Sequence, residues 1–268
     1  QIKEKGSLFL NLIRNLSLFY VIVYCGIDEG SDIMILTVDI GNSNTVLVGY
    51  DREKNIVFEH RMLTFKKNTK PLLTEFLTDI DFEIEEVVMS CVVPRIQEDV
   101  ISCFEDVLDI TPIIINGKTI DKMNINIDNQ EELGADLICT SVGASSKYKA
   151  PVIVADIGSA SKVTLTNINN VYEGGIILPG LGSSLESMVK MIPHLPKVDL
   201  ELPESSIGKN TINAIQSGML YGIVAQIEGL ANRFEEELGL ECERVLTGGY
   251  TKIFKQLLPK FHYEEHLV

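Results

Sequence analysis

The residues Asp39, Gly41, Asn42, Ser43, Asn44 and Thr45 stand together inside the stretch TVDIGNSNTVLVGY, flanked by apolar residues on both sides. The flanks read as the two strands of a hairpin. A plain hairpin needs only two turn residues, so this longer polar loop has room for a second task. A glycine after a strand can take φ > 0, and small polar residues beyond it leave several backbone N–H groups facing one concavity, which suits phosphate oxygens. Asn42, Ser43, Asn44 and Thr45 add neutral donors. Asp39, at the strand end, can hold a magnesium ion directly or through water. The bland alternative is an Asx-type turn in an ordinary hairpin.

The same arrangement returns downstream in PVIVADIGSASKVTLTNINNVYEGGIILPG, where Asp156, Gly158 and Ser159 take the places of Asp39, Gly41 and Asn42. Strand-like runs and helical runs alternate through the chain, so the fold class is α/β. With the repeat, the reading is two duplicated halves, 34–147 and 148–268, with a nucleotide cleft between them. Each half would present one hairpin to the phosphates. Helical patterns are expected near 71–80, 95–108 and 131–147, and a long one from Thr211 to about Gly239. In that long run Gly218 and Gly222 lie one turn apart and would let another element come close. The strand RVLTGGY then enters a turn at Gly248 and Gly249 that would bring backbone near an adenine or ribose. IGKNT at 207–211 lacks the upstream glycine of a P-loop, and GLGSSL at 180–185 lacks the third glycine of a dinucleotide fingerprint.

Bulk composition narrows the partners. The 268 residues carry 38 acidic against 23 basic side chains, a net charge of −15, with no basic stretch. Nucleic acid is therefore a poor partner, because phosphate-backbone binding needs a basic face. The five cysteines are scattered and read as reduced cytosolic thiols. His262 and His266 have helix-borne metal-ligand spacing without the Glu-x-x-His context, which makes a metal role there an outside reading. Near the N-terminus an apolar run is broken by Asn11, Arg14 and Asn15, so no membrane span is expected. Residues 1–33 are expected to be a non-native or upstream extension outside the fold.

Eight segments now stand in one order: DIGNSNT (39–45), SCVVP (90–94), EELGAD (131–136), DIGSAS (156–161), YEGGIILPG (172–180), LPKV (195–198), IGKNT (207–211) and LTGGY (246–250). Together they resemble type III pantothenate kinases, within the superfamily of acetate kinases, sugar kinases, heat-shock chaperones and actin. The resemblance implies the actin-like ATPase fold, two ribonuclease H-like domains, and transfer of phosphate from ATP to pantothenate as the entry to coenzyme A synthesis. It implies that Asp39, Ile40, Gly41, Asn42, Ser43, Asn44, Thr45 and Val46 form the ATP phosphate loop, with Ser159 a further ATP contact. Asp136 becomes the base facing the pantothenate hydroxyl, within a substrate set of Ile127, Gly134, Ala135, Leu137 and Thr211. Asp156 becomes the holder of an activating monovalent cation, potassium or ammonium. A cytoplasmic homodimer is also implied. Taken without the resemblance, Asp136 reads as an acid favouring the dipole of a helix's first turn.

Several positions depart from that family. Its members usually place Tyr and then Pro ahead of GADR, where this chain has Ile127, Gln130 and Leu137. An arginine at 137 would offer forked donors to a carboxylate, and leucine offers none. The usual GTATT becomes GSASK, so Lys162 brings a cation close to the expected ion position; Lys162 and backbone donors near Thr211 are also candidates to meet the substrate carboxylate. Two rival readings follow: a kinase for another small hydroxy compound, and a diverged paralogue that binds nucleotide and works through a partner.

Overall fold

Hydrophobic strands buried on both faces sit at the centre of each half of the molecule and dictate where polar residues can go. The computed structural model describes residues 35–51, 55–80, 84–120 and 123–264. The expectations for residues 1–33 and for His266 lie outside these residues. The described chain divides into two compact units, the first ending at Ser146 and the second running on from Lys147.

In the first unit β1 (Ile35–Ile40), β2 (Asn44–Tyr50) and β3 (Ile56–Leu63) form an antiparallel meander, while β4 (Glu86–Cys91) and β5 (Ile113–Ile114) continue the sheet in parallel from β1. The strand order is β3-β2-β1-β4-β5. Parallel neighbours need crossovers, which α1 (Thr69–Thr78) and α2 (Pro94–Leu108) supply. Pro94 opens α2 at a position where its missing N–H has no partner to lose. Leu73 and Leu77 of α1, with Ile96, Val100 and Phe104 of α2, bury against Leu36, Val38, Leu47 and Met89. A short strand, β6 (Asn124–Ile125), and α3 (Ala135–Lys147) follow.

The second unit repeats the plan. Here β7 (Val152–Ile157), β8 (Ala160–Thr166) and β9 (Val171–Pro179) form the meander, and β10 (Glu243–Thr247) and β11 (His262–Tyr263) run parallel beyond β7. Among these five strands of a six-stranded sheet, the order β9-β8-β7-β10-β11 repeats that of the first unit. Even the irregularities correspond, with register shifts at Gly49/Tyr50 and at Leu165/Thr166. Between β9 and β10 lie α4 (Leu181–Met191) and the long α5 (Thr211–Leu238); α6 (Thr251–Phe254) precedes β11. The Asn210 side chain caps α5 by accepting from the Asn213 amide at 2.9 Å, and Gly239 ends it at φ 65°. Leu220, Ile223, Ile227 and Ala231 turn one face of α5 onto Ile153, Ala155 and Leu246.

Three expectations change. The pattern expected to be helical from 131 splits: Gln130–Glu132 form a single 3₁₀ turn, Leu133 is extended, and α3 starts only at Ala135. The Asn129 side chain accepts from the Glu131 amide and competes with a continuous helix. Helix α4 is absent from the sequence reading, because its opening Gly-Leu-Gly-Ser-Ser is poor in helix formers. Finally, nothing among the described residues lies within 4 Å of where a Cβ on Gly218 or Gly222 would stand. The two glycines pack no described element.

Arg244 of β10 fastens α5 to the sheet. Its Nε donates to Glu235 Oε1 at 3.0 Å, a second nitrogen reaches Oε2, and Asn232 Oδ1 accepts a further bond at 2.7 Å. The guanidinium therefore holds the Glu235 carboxyl below its usual range, against an opposing push from burial, with help from the Cys242 amide. A depressed carboxyl pKa gives stability that is present above the unfolded value and lost as pH falls through the folded one. Glu235→Gln should lower stability at neutral pH by about 1–2 kcal/mol. Urea midpoints of variant and parent should converge as the pH drops below about 4.

Candidate active site

The first hairpin closes on the pair Ile40 and Thr45, leaving Gly41–Asn44 as its loop. The Gly41 amide donates to Asn44 O at 2.9 Å, and a Cβ on Gly41 would stand 3.1 Å from that oxygen. Gly41 does not adopt positive φ; tight closure, rather than a left-handed backbone, is what favours glycine. Asn42 and Ser43 are exposed at the tip, while Thr45 is buried. One residue absent from the sequence reading organises this loop. Thr64 follows directly after β3, its hydroxyl donates to Gly41 O at 2.7 Å, and its amide donates to Ser43 O at 3.0 Å. The Thr64 and Thr45 hydroxyl oxygens also lie 3.0 Å apart. The signal that could have found Thr64 is the pairing of Asn44 with Leu63, which sets the next residue beside the loop.

Asp39 pairs with Val46 on one side and with Ser90 of β4 on the other. The chain leaving β4 turns at once, and the Val92 amide donates to Ile40 O at 3.0 Å. Burial pushes the Cys91 thiol up and the nearby Asp39 charge adds to that, against a weak contact with Val93 O, so this thiol stays protonated at neutral pH. The start of α3 rests against the same turn, since a Cβ on Gly134 would lie 4.0 Å from Val92 Cγ1. The first hairpin, the SCVVP turn and the GAD turn thus lie side by side in the first unit. Asp136 Oδ1 accepts from the Leu137 amide at 2.9 Å and leaves only 2.7 Å to a would-be Gly134 Cβ. Glycine at 134 is what lets the carboxylate lie across the helix's first turn. Ala135 is buried, Ile127 and Leu137 are half-buried, and Gln130 is exposed with its Nε2 donating to Ile125 O.

The second hairpin is one residue shorter, closing on Ile157 and Ser161, and this sets Lys162 directly opposite Asp156. Lys162 Nζ lies 3.0 Å from Asp156 Oδ2, with both side chains mostly buried at 17% and 12% exposure. The other carboxylate oxygen faces the LTGGY turn. Gly248, at φ 101°, would carry a Cβ only 2.3 Å from Asp156 Oδ1 and 2.6 Å from Ile157 O, so no other residue fits. The Tyr250 amide donates to Ile157 O at 3.1 Å and locks the two loops together. Ser159 is exposed, its carbonyl 2.1 Å from a would-be Gly180 Cβ at the start of α4. Gly249 is exposed, with nothing within 4 Å of its would-be Cβ.

Thr211 opens α5 and lines a cavity of about 640 Å³ in the second unit. Lys209, Asn210 and Thr211 give it polar groups, and Met188, Ile215 and Met219 give it apolar ones. Among the described residues no group of three or more His, Cys, Asp or Glu could hold a metal. His262 Nε2 sits 2.8 Å from Glu243 Oε2. Of the described cysteines, Cys103 and Cys139 are buried, Cys91 and Cys242 half-buried, and all are free thiols. No described helix is long and apolar enough to cross a membrane.

Comparison with known proteins identifies the family and the fold. A family profile described as type III pantothenate kinase matches residues 35–233. A type III pantothenate kinase from an Exiguobacterium species is 35% identical over 230 residues, covering 83% of this chain and 90% of the relative. Another, from a Sulfurihydrogenibium species, is 33% identical over 245 residues, covering 87% and 96%. Among solved structures, component A of the Acidaminococcus fermentans (R)-2-hydroxyglutaryl-CoA dehydratase superposes with TM-score 0.50 at 17% identity, over 87% of this chain and 91% of that one. A Sinorhizobium meliloti protein provisionally assigned as a 2-dehydro-3-deoxygalactonokinase gives TM-score 0.54 at 11% identity, over 86% and 92%. At such identities the structures speak for the fold alone, the actin-like ATPase and sugar kinase fold with two mixed sheets. The profile and the relatives go further, and on them the chain belongs to the type III pantothenate kinase family.

Proposed function

We propose that the protein transfers the γ-phosphoryl group of ATP to the hydroxyl of pantothenate, giving 4′-phosphopantothenate as the first step of coenzyme A synthesis, with Asp136 as the base. The observation that carries the residue assignment is the contiguity of the Asp39–Val46 hairpin, the Val92 turn and the Asp136 carboxylate within one unit. Phosphoryl transfer asks mainly for positioning and charge neutralisation. Donors of the loop from Asn42 to Thr45, the Gly41 amide being taken by Asn44 O, would hold the phosphates while Asp136 takes the hydroxyl proton as the new O–P bond forms and ADP leaves. Its Oδ1 bond to the Leu137 amide fixes the rotamer in advance.

Magnesium fits the chain's donors: a single strand-end carboxylate, Asp39, suits an ion that keeps its waters and rides on phosphates. When bound, it neutralises charge on the transferring group. Ser159 and the open backbone at Gly248 and Gly249 are assigned to the nucleotide, and Ile127, Gly134, Ala135, Leu137 and Thr211 to pantothenate. Leu137 cannot meet the substrate's carboxylate and Lys162 is engaged by Asp156, whereas Lys209 shares the cavity with Thr211 and has an ammonium to offer.

The reading extends to a cytoplasmic homodimer. The open faces of Gly218 and Gly222 support α5 as the contact between copies, since bare backbone permits close helix approach. Gly222→Leu should shift the protein toward monomer in sedimentation velocity; an unchanged dimer removes α5 from the interface.

Purified protein should consume ATP only when pantothenate is added, and stimulation by a different alcohol instead would replace the substrate assignment. Asp136→Asn keeps the acceptor for the Leu137 amide, so circular dichroism should be unchanged while turnover falls by about 10²–10⁴. A small kinetic loss with a less stable helix would leave Asp136 as a capping residue. Thr64→Val removes the hydroxyl bond to Gly41 O, and KM for ATP should rise about 3- to 10-fold with KM for pantothenate little changed.

A further inference from the structure

We infer that Lys162 is a built-in replacement for the exchangeable monovalent cation, so that this kinase works without potassium or ammonium; the inference rests on the kinase reading above. The resemblance places a free cation at Asp156, and the residues present do not fit one. Asp156 Oδ2 has the Lys162 ammonium at 3.0 Å, and Oδ1 is walled by the Gly248 turn. A second cation would share one carboxylate with a fixed ammonium, in a pocket where both side chains are mostly buried and like charges are poorly screened. An alkylammonium head has the charge of potassium and nearly its size. Lysine also brings a tether, because β7 and β8 pair Asp156 with Lys162 face to face and the ion need not be captured from solution.

The pairing depends on hairpin length. The first hairpin, one residue longer, sets Val46 opposite Asp39 and leaves that carboxylate to other partners, whereas the shorter second hairpin delivers a lysine. A charge that rebuilds the ion position therefore comes from the strand itself.

Turnover of the full chain with magnesium, ATP and pantothenate is compared in potassium chloride and in tetramethylammonium chloride at equal ionic strength. The parent protein should differ by less than about twofold between the salts, and Lys162→Thr should lose about tenfold or more in tetramethylammonium and regain it in potassium. A readout that needs no turnover runs beside it, the thermal midpoint in the two salts, where potassium should raise that of Lys162→Thr and leave the parent unmoved. Stimulation of the parent by potassium of about tenfold, or an equal potassium stabilisation of parent and variant, overturns the inference. If pantothenate stimulates no turnover in either salt, the kinase reading fails, and the thermal comparison still decides the cation. Should Lys162→Thr not fold, the two parent measurements decide it alone.

Discussion

A strand buried on both faces has no place for a carboxylate in its middle, because an ionised group deprived of water must be repaid by partners. β1 and β7 are such strands, and each carries its aspartate only one residue from its C-terminal end. The sheet's parallel neighbours, β4 and β10, end beside them, so the loops that follow converge on the aspartate. Ligands of open α/β sheets bind outside the carboxyl ends of strands for the same reason. In the first unit Thr64, the Val92 turn and the Gly134 turn are gathered around the loop after β1, and in the second unit the Gly248 turn and the start of α4 are fitted to the loop after β7.

Duplication gave two such corners, and a difference of one residue in loop length made them unlike. Opposite Asp39 stands an aliphatic side chain; opposite Asp156 stands an ammonium. The first corner is held open by hydroxyl and amide donors from Thr64, a residue supplied by the end of the next hairpin strand. The second is closed by contact, with glycines at 180 and 248 allowing carbonyl and carboxylate oxygens to approach backbone at distances no side chain would tolerate. On the proposed kinase reading the first corner receives a guest, and the second is already filled by the strand's own ammonium.

Much of this was legible beforehand. Paired Asp-x-Gly hairpins revealed the duplication because period-two strands and small polar loops leave a strong local pattern, and the 28-residue α5, Thr211–Leu238, runs almost to the bounds its helical pattern suggested. The Asp156 and Lys162 pair was within reach too, since both ends of a short hairpin are fixed by counting. Thr64 was not, because its role depends on a tertiary pairing with a loop 23 residues earlier. Asn129 redirected the start of α3 by a side-chain bond that composition does not reveal, and α4 begins with glycines selected for close approach at the expense of helix propensity. Where local preference and site geometry disagree, geometry has prevailed, and those are the places a sequence reader misses.

Gly248 carries this furthest. Every missense change at its codon adds a carbon to a backbone already at positive φ, facing Asp156 Oδ1 and the Ile157 carbonyl. No neighbouring side chain can swing aside to relieve that crowding, because the obstacles are a main-chain oxygen and a carboxylate that is itself held. In a population of genes the position should therefore be silent, varying only at synonymous bases, while at Gly249 beside it, where nothing lies within 4 Å of a would-be Cβ, the fold itself sets no such bar and any constraint comes from the nucleotide proposed to lie there.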